Sequence, residues 1–360
     1  MKGKILTTTI IILGLGLCFL ANPCLQAMQK KNDQDNQTVY IPKEVKQVFK
    51  DGIKTRQARL DIPFEMIKHL YLPARENVHS VFFFKIKNSD LGFVPMAPAA
   101  EQDKKDKNQE PEQEASETQG MLQTKSHAFL QFDRLDGDFT REVYVPIDFQ
   151  VEEATFNPEE DAICSTGYPL PPGNYLLSFA IASSDLKKIG TQYFEFSLPN
   201  AAEFTDTLDT TPIFFVKKLT QMASPEMKVV IHRDYFTYSV LQITPNMESK
   251  FAPGENLDIF FFLFGAQPNA QDVFDIDAAY QVVQDDKPII KFAGTKYTTP
   301  IISQPLPLKK TVIVQTQEGD QKTEKKETKD LDPGSYTLII ELKCNNTGLS
   351  VTKNIDFTLE

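Results

Sequence analysis

Leu170-Pro-Pro-Gly-Asn-Tyr-Leu-Leu-Ser-Phe-Ala-Ile181 returns 161 residues later, without a gap, as Leu331-Asp-Pro-Gly-Ser-Tyr-Thr-Leu-Ile-Ile-Glu-Leu342. In the first stretch Tyr175, Leu177, Phe179 and Ile181 alternate with Leu176, Ser178 and Ala180. In the second, Tyr336, Leu338, Ile340 and Leu342 alternate with Thr337, Ile339 and Glu341. Successive strand side chains point to opposite faces, so each run offers one apolar face to a core. The Pro-Gly ahead of each run is turn chemistry, and Gly173 and Gly334 accept the positive φ such a turn can require.

Working outward, the same offset pairs Phe194-Glu-Phe-Ser-Leu198 with Ile355-Asp-Phe-Thr-Leu359, 21 residues beyond the turn glycine in both copies. Upstream, Val81-Phe-Phe-Phe84 matches Ile259-Phe-Phe-Phe262 at an offset of 178, which gives the first copy 17 extra residues in between. Matches repeated in the same order mark a tandem. Further strands are expected at 56–64, 128–133, 142–149, 234–243 and 280–284, with hairpin turns at Asp136-Gly137 and Asp285-Asp286. The runs 81–84 and 259–264 are continuously apolar, as central core strands are, and this reading is preferred to an exposed edge awaiting a partner strand. The segment 42–50, with Val45, Val48 and Phe49 on one face and Gly52 as a stop, reads as one or two helical turns.

Many short strands between turns predict an all-β fold of two tandem antiparallel sandwiches after an N-terminal signal peptide. The expected boundaries are 46–199 and 228–360, joined by a linker over 200–227 in which Ile213, Phe214, Phe215 and Val216 have the character of packed residues. Polar segments at 96–124, centred on the aromatic-free stretch Glu101 to Gln119, and at 315–330 are expected to be disordered loops, and 28–45 a flexible tether.

The first 27 residues read as an export signal. Lys2 and Lys4 precede an apolar stretch from Ile5 to Ala21, Pro23 breaks it, and Leu25-Gln26-Ala27 offers a cleavage site. Cys18 is the minority reading, a lipid anchor, because Leu17 stands where a small residue is needed. Cleavage leaves Cys164 and Cys344, which fall at non-equivalent positions of the repeat and are expected as buried free thiols rather than a bridge.

The chain has 360 residues, 41% of them apolar, and 38 Lys and Arg against 49 Asp and Glu, for a net charge of −11. Without an extended basic patch, that balance excludes nucleic acid, whose binding rests on neutralising phosphates, and attraction to an anionic lipid surface. No HExxH, GxSxG, Walker or GxGxxG element occurs in a fitting context. Asp133, Asp136, Gly137 and Asp138 resemble a calcium loop but lack its alternating ligand spacing, so a hairpin turn is the preferred reading. Asp272, Asp275 and Asp277 form a second acidic cluster, read as surface. His69, His79, His127 and His232 are scattered without ligand spacing, which argues against zinc. No catalytic, cofactor-binding or metal residue and no cofactor is expected.

The pattern Leu-x-Pro-Gly-x-Tyr-x-Leu resembles the strand before the last in immunoglobulin-like and fibronectin-like sandwiches. The resemblance implies a tyrosine corner in which Tyr175 and Tyr336 bond to backbone. Leu177 and Leu338 replace the second cysteine of antibody-type domains, and the chain has no Trp, so the resemblance is to the looser bacterial Ig-like group. Phe251-Ala-Pro-Gly-Glu-Asn-Leu257 with its Phe-rich strand, and Leu331 to Tyr336, are also similar to the tandem sandwich region of secreted bacterial proteins that carry a GWxTD domain. The GWxTD motif itself is absent, and the resemblance carries no catalytic residues. It implies an exported, non-catalytic protein, periplasmic or extracellular, acting as a structural or interaction component. The expected partner is an unknown protein or envelope component, with no membrane insertion after cleavage. The alternatives are a hydrolase with carboxylates at a sandwich rim and a calcium-dependent adhesion module.

Overall fold

The computed structural model describes residues 41–55, 57–96, 120–318 and 321–360, and the side chains of all of these but 313–325. The expected signal over 1–27, most of the tether and the stretch Glu101 to Gln119 lie outside the described residues. Four main sheets carry the fold. Sheet I orders Ile189–Leu198, Gly173–Ser183, Ser126–Arg134 and Thr140–Ile147. Sheet II orders Phe64–Ala74, Asn77–Lys87, Asp161–Leu170 and the short His232–Arg233.

Sheet III is built around Asn256–Phe264, which pairs with Phe214–Gln221, Ile301–Pro307 and Asp209–Thr210. Leu241–Pro245 and Phe236–Tyr238 extend it. In sheet IV, Ser350–Leu359, Gly334–Cys344, Ile276–Gln284 and Lys287–Lys291 lie side by side, edged by Lys250–Phe251 and Thr295–Tyr297. Among the described residues every strand pairing is antiparallel except Lys250–Phe251 with Ser350–Leu359. The strand order of sheets I and II thus recurs in sheets IV and III.

The sheets stack because three cores lie between them. Sheets I and II enclose Phe82, Phe84, Phe132, Leu177 and Phe179. Sheets III and IV enclose Ile259, Phe261, Tyr280, Leu338 and Ile340. Between II and III lies a third core, with Leu70, Leu72, Val81 and Phe83 against Phe214, Phe236, Ile243, Phe260 and Phe262. The apolar runs follow from this. In the inner sheets, odd and even side chains both enter a core, so Val81 and Phe83 face one way and Phe82 and Phe84 the other. A bulge between Met66 and Lys68 switches the parity of its strand, so Phe64 joins the first core whereas Leu70 and Leu72 join the middle one. Each such Phe contributes about 1.5–3 kcal/mol of burial, and the described residues form one compact unit.

A helix, Lys43–Thr55, covers the outer face of sheet I through Val45 and Phe49, packed against Phe129, Ala180 and Ile189. Gly52 does not stop it. A Cβ there would lie 1.8 Å from the Tyr193 hydroxyl, so glycine is what lets helix and sheet touch. Ile41 and Val45, expected within a flexible tether, are buried in that contact.

Three other expectations are corrected. The strand placed at 56–64 begins only at Phe64, leaving a single bridge from Leu60 to Gly190. The strand placed at 234–243 is a hairpin, because Ser239 takes a φ of 54° and folds Leu241–Pro245 back on Phe236–Tyr238. The linker over 200–227 contains two strands of sheet III, since Phe214 and Phe215 have cores on both sides to enter.

Both polar segments are partly structured. Met121–Thr124 pairs with Phe93–Pro95 and Gln150–Glu152 in a small third-rank sheet. Residues 315–318 and 321–330 are not a loop: Lys309–Glu318 and Gln321–Asp330 pair along their whole length. A two-stranded ribbon satisfies its backbone by pairing, and its base is anchored by buried Leu308 and Leu331, whose backbones bond at 3.3 Å.

Candidate functional site

The two Pro-Gly turns fold into matching corners. The Tyr175 hydroxyl donates to the Pro171 carbonyl at 2.8 Å, and that of Tyr336 to the Asp332 carbonyl at 2.7 Å. Gly173 and Gly334 take φ of 151° and 154°, which L side chains rarely adopt. Both tyrosine rings are buried, and burial pushes both hydroxyls above their usual range.

The surroundings of the corners differ. Beside Tyr175, Arg134 Nε donates to Asp136 Oδ1 at 2.6 Å, and that hydrogen bond holds the Asp136 carboxyl below its ordinary range. Asp136 Oδ2 also accepts from the Asn174 backbone and side chain at 3.3 Å. Beside Tyr336 there is instead an open cleft of about 480 Å³, with Glu248, Asp285, Asp286 and Asp356 on its walls. Asp285 and Asp286 form the two-residue turn between Gln284 and Lys287, with φ of 50° and 60°, as a hairpin of this length demands. Asp356 Oδ1 accepts from Thr337 Oγ1 at 2.6 Å, and Glu248 lies 3.5 Å from Lys250 Nζ. Four carboxylates in a concave surface can hold a cationic group.

A second, smaller cavity of about 190 Å³ lies among Asn88, Asn157, Glu160 and Arg233. Asn88 Nδ2 donates to the Asn157 carbonyl at 2.8 Å, while its buried Oδ1 has no protein partner.

The residues singled out from sequence serve the fold. Asp133 accepts from Gln131 and Thr140, so with the Asp136 contacts the Asp133–Asp138 stretch closes a hairpin on itself. Asp275 and Asp277 both accept from Asn345 Nδ2, at 3.0 and 2.9 Å, and Lys296 Nζ reaches Asp277 at 3.2 Å. Asp272 stands apart in a turn closed by Asn269. His69 stacks on Phe82 at 4.8 Å inside the first core, and burial pulls its pKa down to about 4.

His79 faces the middle core beside Tyr238 and is likewise held at about 4 by burial, against a hydrogen bond to the Thr237 backbone. His232 is lowered by burial despite Glu226, whose Oε2 lies 2.8 Å away. His127 contacts the Tyr144 hydroxyl at 3.0 Å. Cys164 and Cys344 are free and buried in separate cores, and burial pushes the Cys164 thiol up to about 12. Among the described residues no three His, Cys, Asp or Glu are placed to share a metal ion.

The sequence reading took Asp285-Asp286 only as a turn and passed over Glu248 and Asp356. In the first copy Arg134 lies opposite the corner tyrosine, a pairing that the ladder shows and the sequence does not.

No described protein family matches the sequence, and no curated protein matches it. Among solved structures, one that joins a catalytic domain with the CBM51-1 and CBM51-2 domains from Clostridium perfringens ZmpB aligns at 8% identity and a TM-score of 0.12. That alignment covers 83% of this chain and 39% of the other, and so slight a likeness carries no argument. Among the described residues no helix is long and apolar enough to cross a membrane.

Proposed function

We propose that the chain is an exported, non-catalytic protein made of two Ig-like sandwich modules, with sheets I and II as one and III and IV as the other. It acts as a structural or protein-interaction component of the cell envelope or extracellular space. The observation that carries the module assignment is the pair of corners, in which a tyrosine two residues past a glycine donates to the carbonyl four residues before it. The likeness to the sandwich region of GWxTD-carrying secreted proteins supports export, together with the basic, apolar and Pro-broken sequence of residues 1–27.

An interaction role ranks above a calcium-dependent module, because Asp133, Asp136, Asp275 and Asp277 are already bonded to the chain's own side chains. The test is expression of the full chain with a C-terminal tag in a bacterial host, followed by fractionation and N-terminal sequencing. A product beginning at Met28 outside the cytosol, which cross-links to a protein that rebinds it once purified, is the expected result. A cytosolic chain that retains residues 1–27 would overturn export.

A further inference from the structure

We propose that the free edge from Ser350 to Asp356 in sheet IV pairs antiparallel with the same edge of a second copy of this chain, about a two-fold axis at Lys353. The last strands of the two copies differ at this edge. Thr191 lies opposite Ala180 and Thr352 opposite Glu341, so the two threonines hold one place in the repeat. Thr191 is almost wholly buried, because the chain leading into sheet II runs along its strand. The Thr191 N–H donates to the Arg59 carbonyl and its Oγ1 accepts from the Arg59 N–H, both at 2.9 Å. Beside it, Asp61 accepts from the Ile189 N–H at 3.3 Å.

Thr352 is exposed. The chain leading into sheet III turns elsewhere: Phe204 stacks on Phe264, with ring centroids 5.0 Å apart, and the Thr207 carbonyl lies 2.0 Å from where a Cβ on Gly265 would be. Asp209 then reaches the last strand by its ion pair with Lys353. The end of that strand fixes which of its peptide groups face outward, since the Thr358 and Glu360 N–H groups donate to the Ser249 and Phe251 carbonyls. Peptide groups alternate along a strand, so those of Ser350, Thr352, Asn354 and Asp356 face outward too. Among the described residues they have no backbone partner on that side.

An open strand edge is a template for pairing, and proteins guard such edges with proline, bulges or a cover. The other long edges of the main sheets are guarded. Phe64–Ala74 has a bulge and Pro73, Thr140–Ile147 has Pro146, Ile301–Pro307 has Pro305, and Lys287–Lys291 has Pro288. Ile189–Leu198 is covered at its start by Arg59 and Asp61, and the rest carries Glu195. From Ser350 to Asp356 there is no proline, no bulge and no cover.

The edge is complementary to itself, which selects a second copy as its occupant. Antiparallel pairing about Lys353 sets Thr352 against Asn354, Ser350 against Asp356 and Val351 against Ile355. Each outward peptide group thereby meets another. Val351 and Ile355 already pack on the core between sheets III and IV, and the pairing extends that core across the seam. The one like-charge meeting is Lys353 with itself, and each copy offsets it with its own Asp209 at 2.5 Å. The ends fit as well. Leu349 leads back toward Cys344, away from the edge, and Ser249 closes the edge at Thr358.

Sedimentation velocity of the full chain at up to about 100 μM should show a dimer. Thr352→Pro removes an outward N–H and leaves the ladder to Gly334–Cys344 intact. It should weaken the dimer at least about tenfold, with an unchanged circular dichroism spectrum. Lys353→Cys puts one thiol from each copy on the axis, in a non-hydrogen-bonded pair whose Cα separation of about 4.5 Å suits a disulfide. Mild oxidation should make it a covalent dimer, whereas Ile355→Cys, on the same face, should give no more than wild type.

A monomeric wild type, an undiminished dimer of folded Thr352→Pro, or equal cross-linking of the Lys353→Cys and Ile355→Cys chains would each overturn the proposal. Should Thr352→Pro not fold, the two cysteine variants decide. A monomeric wild type would leave the function proposed above standing, since no part of it needs a second copy.

Discussion

Sheets II and III are written almost wholly in apolar residues along the strands that hold their Phe runs, whereas sheet IV alternates. Asn77–Lys87 buries five consecutive residues from Ser80 to Phe84, while Gly334–Cys344 buries every second one from Tyr336 to Cys344. The strand order is the same in both copies, so the difference does not lie in the topology. It comes from what covers each face: an inner strand has a core on both and a strand of sheet IV has one, whereas the helix covers the second face of sheet I. The Phe-rich runs therefore mark where the two copies meet. That junction is reinforced by polar contacts, with the Tyr238 hydroxyl on the Pro73 carbonyl and Ser165 Oγ on the Tyr235 carbonyl.

The comparison breaks most visibly at the middle core. Phe83 and Phe236 meet edge to face, with ring centroids 5.7 Å apart. Phe83→Ala should cost about 3–5 kcal/mol, the usual range for a fully packed Phe. The double variant with Phe236→Ala should show coupling of about 0.5–1.5 kcal/mol in urea denaturation. Calorimetry of the wild-type chain is expected to give one transition, and the double variant two, as the copies lose their shared core. Two transitions in the wild type would mean that the middle core does not couple them.

Sheet IV sharpens the contrast one residue at a time. Ile340→Ala removes a wholly buried side chain and should cost about 2–5 kcal/mol. The adjacent Glu341→Ala, on the exposed face, should fall within about 0.5 kcal/mol of wild type. In the inner strand the same one-residue step, Phe82 to Phe83, should be costly at both positions. Chemical denaturation of the four variants decides it.

The fold was legible where residue pattern and layer agree. The corner repeat gave the alternation of Gly334–Cys344 but not the unbroken burial of Leu177 to Ala182 under the helix, and the runs 81–84 and 259–264 pointed to buried strands without showing that a second core lay beyond them. Local composition misled at 315–330, where Lys and Glu in quantity look like a solvated loop yet the backbone closes its own ladder. It misled again at Gly52, a stop by sequence and a close approach in space. The acidic cleft could not be read directly, since Glu248, Asp285 and Asp356 are brought together only by the pairing of three separate strands.

The first core and the middle core should respond to acid alike. His69, in the first core, and His79, at the middle one, are held neutral with pKa values near 4, against an ordinary value of about 6.5. Above pH 6.5 both states are neutral and the histidines contribute nothing to pH dependence. Below it the unfolded chain takes up protons that the folded chain refuses, so stability falls as pH drops toward 4, by up to about 3 kcal/mol for each histidine. Urea midpoints measured from pH 7 to pH 4 should fall steeply, and the fall should be smaller in His69→Gln and in His79→Gln. A slope unchanged in both variants would assign the acid sensitivity to other groups.

The smallest expected effect tests the likeness of the two copies. Tyr175→Phe and Tyr336→Phe each delete one hydroxyl and leave the ring, so packing against Phe196 and Phe357 is kept. What is lost is one hydrogen bond of ordinary length to a backbone carbonyl, worth about 1 kcal/mol. If the corners are the same device used twice, the two losses should agree within about 0.5 kcal/mol. Their neighbours predict the sign of any residual difference. Arg134 still bridges the first corner to Asp136 after the hydroxyl is gone, whereas Gln284 offers no charge to do so at the second. Tyr336→Phe should therefore be the costlier of the pair, and repeating both measurements in a Gln284→Arg background should bring them together.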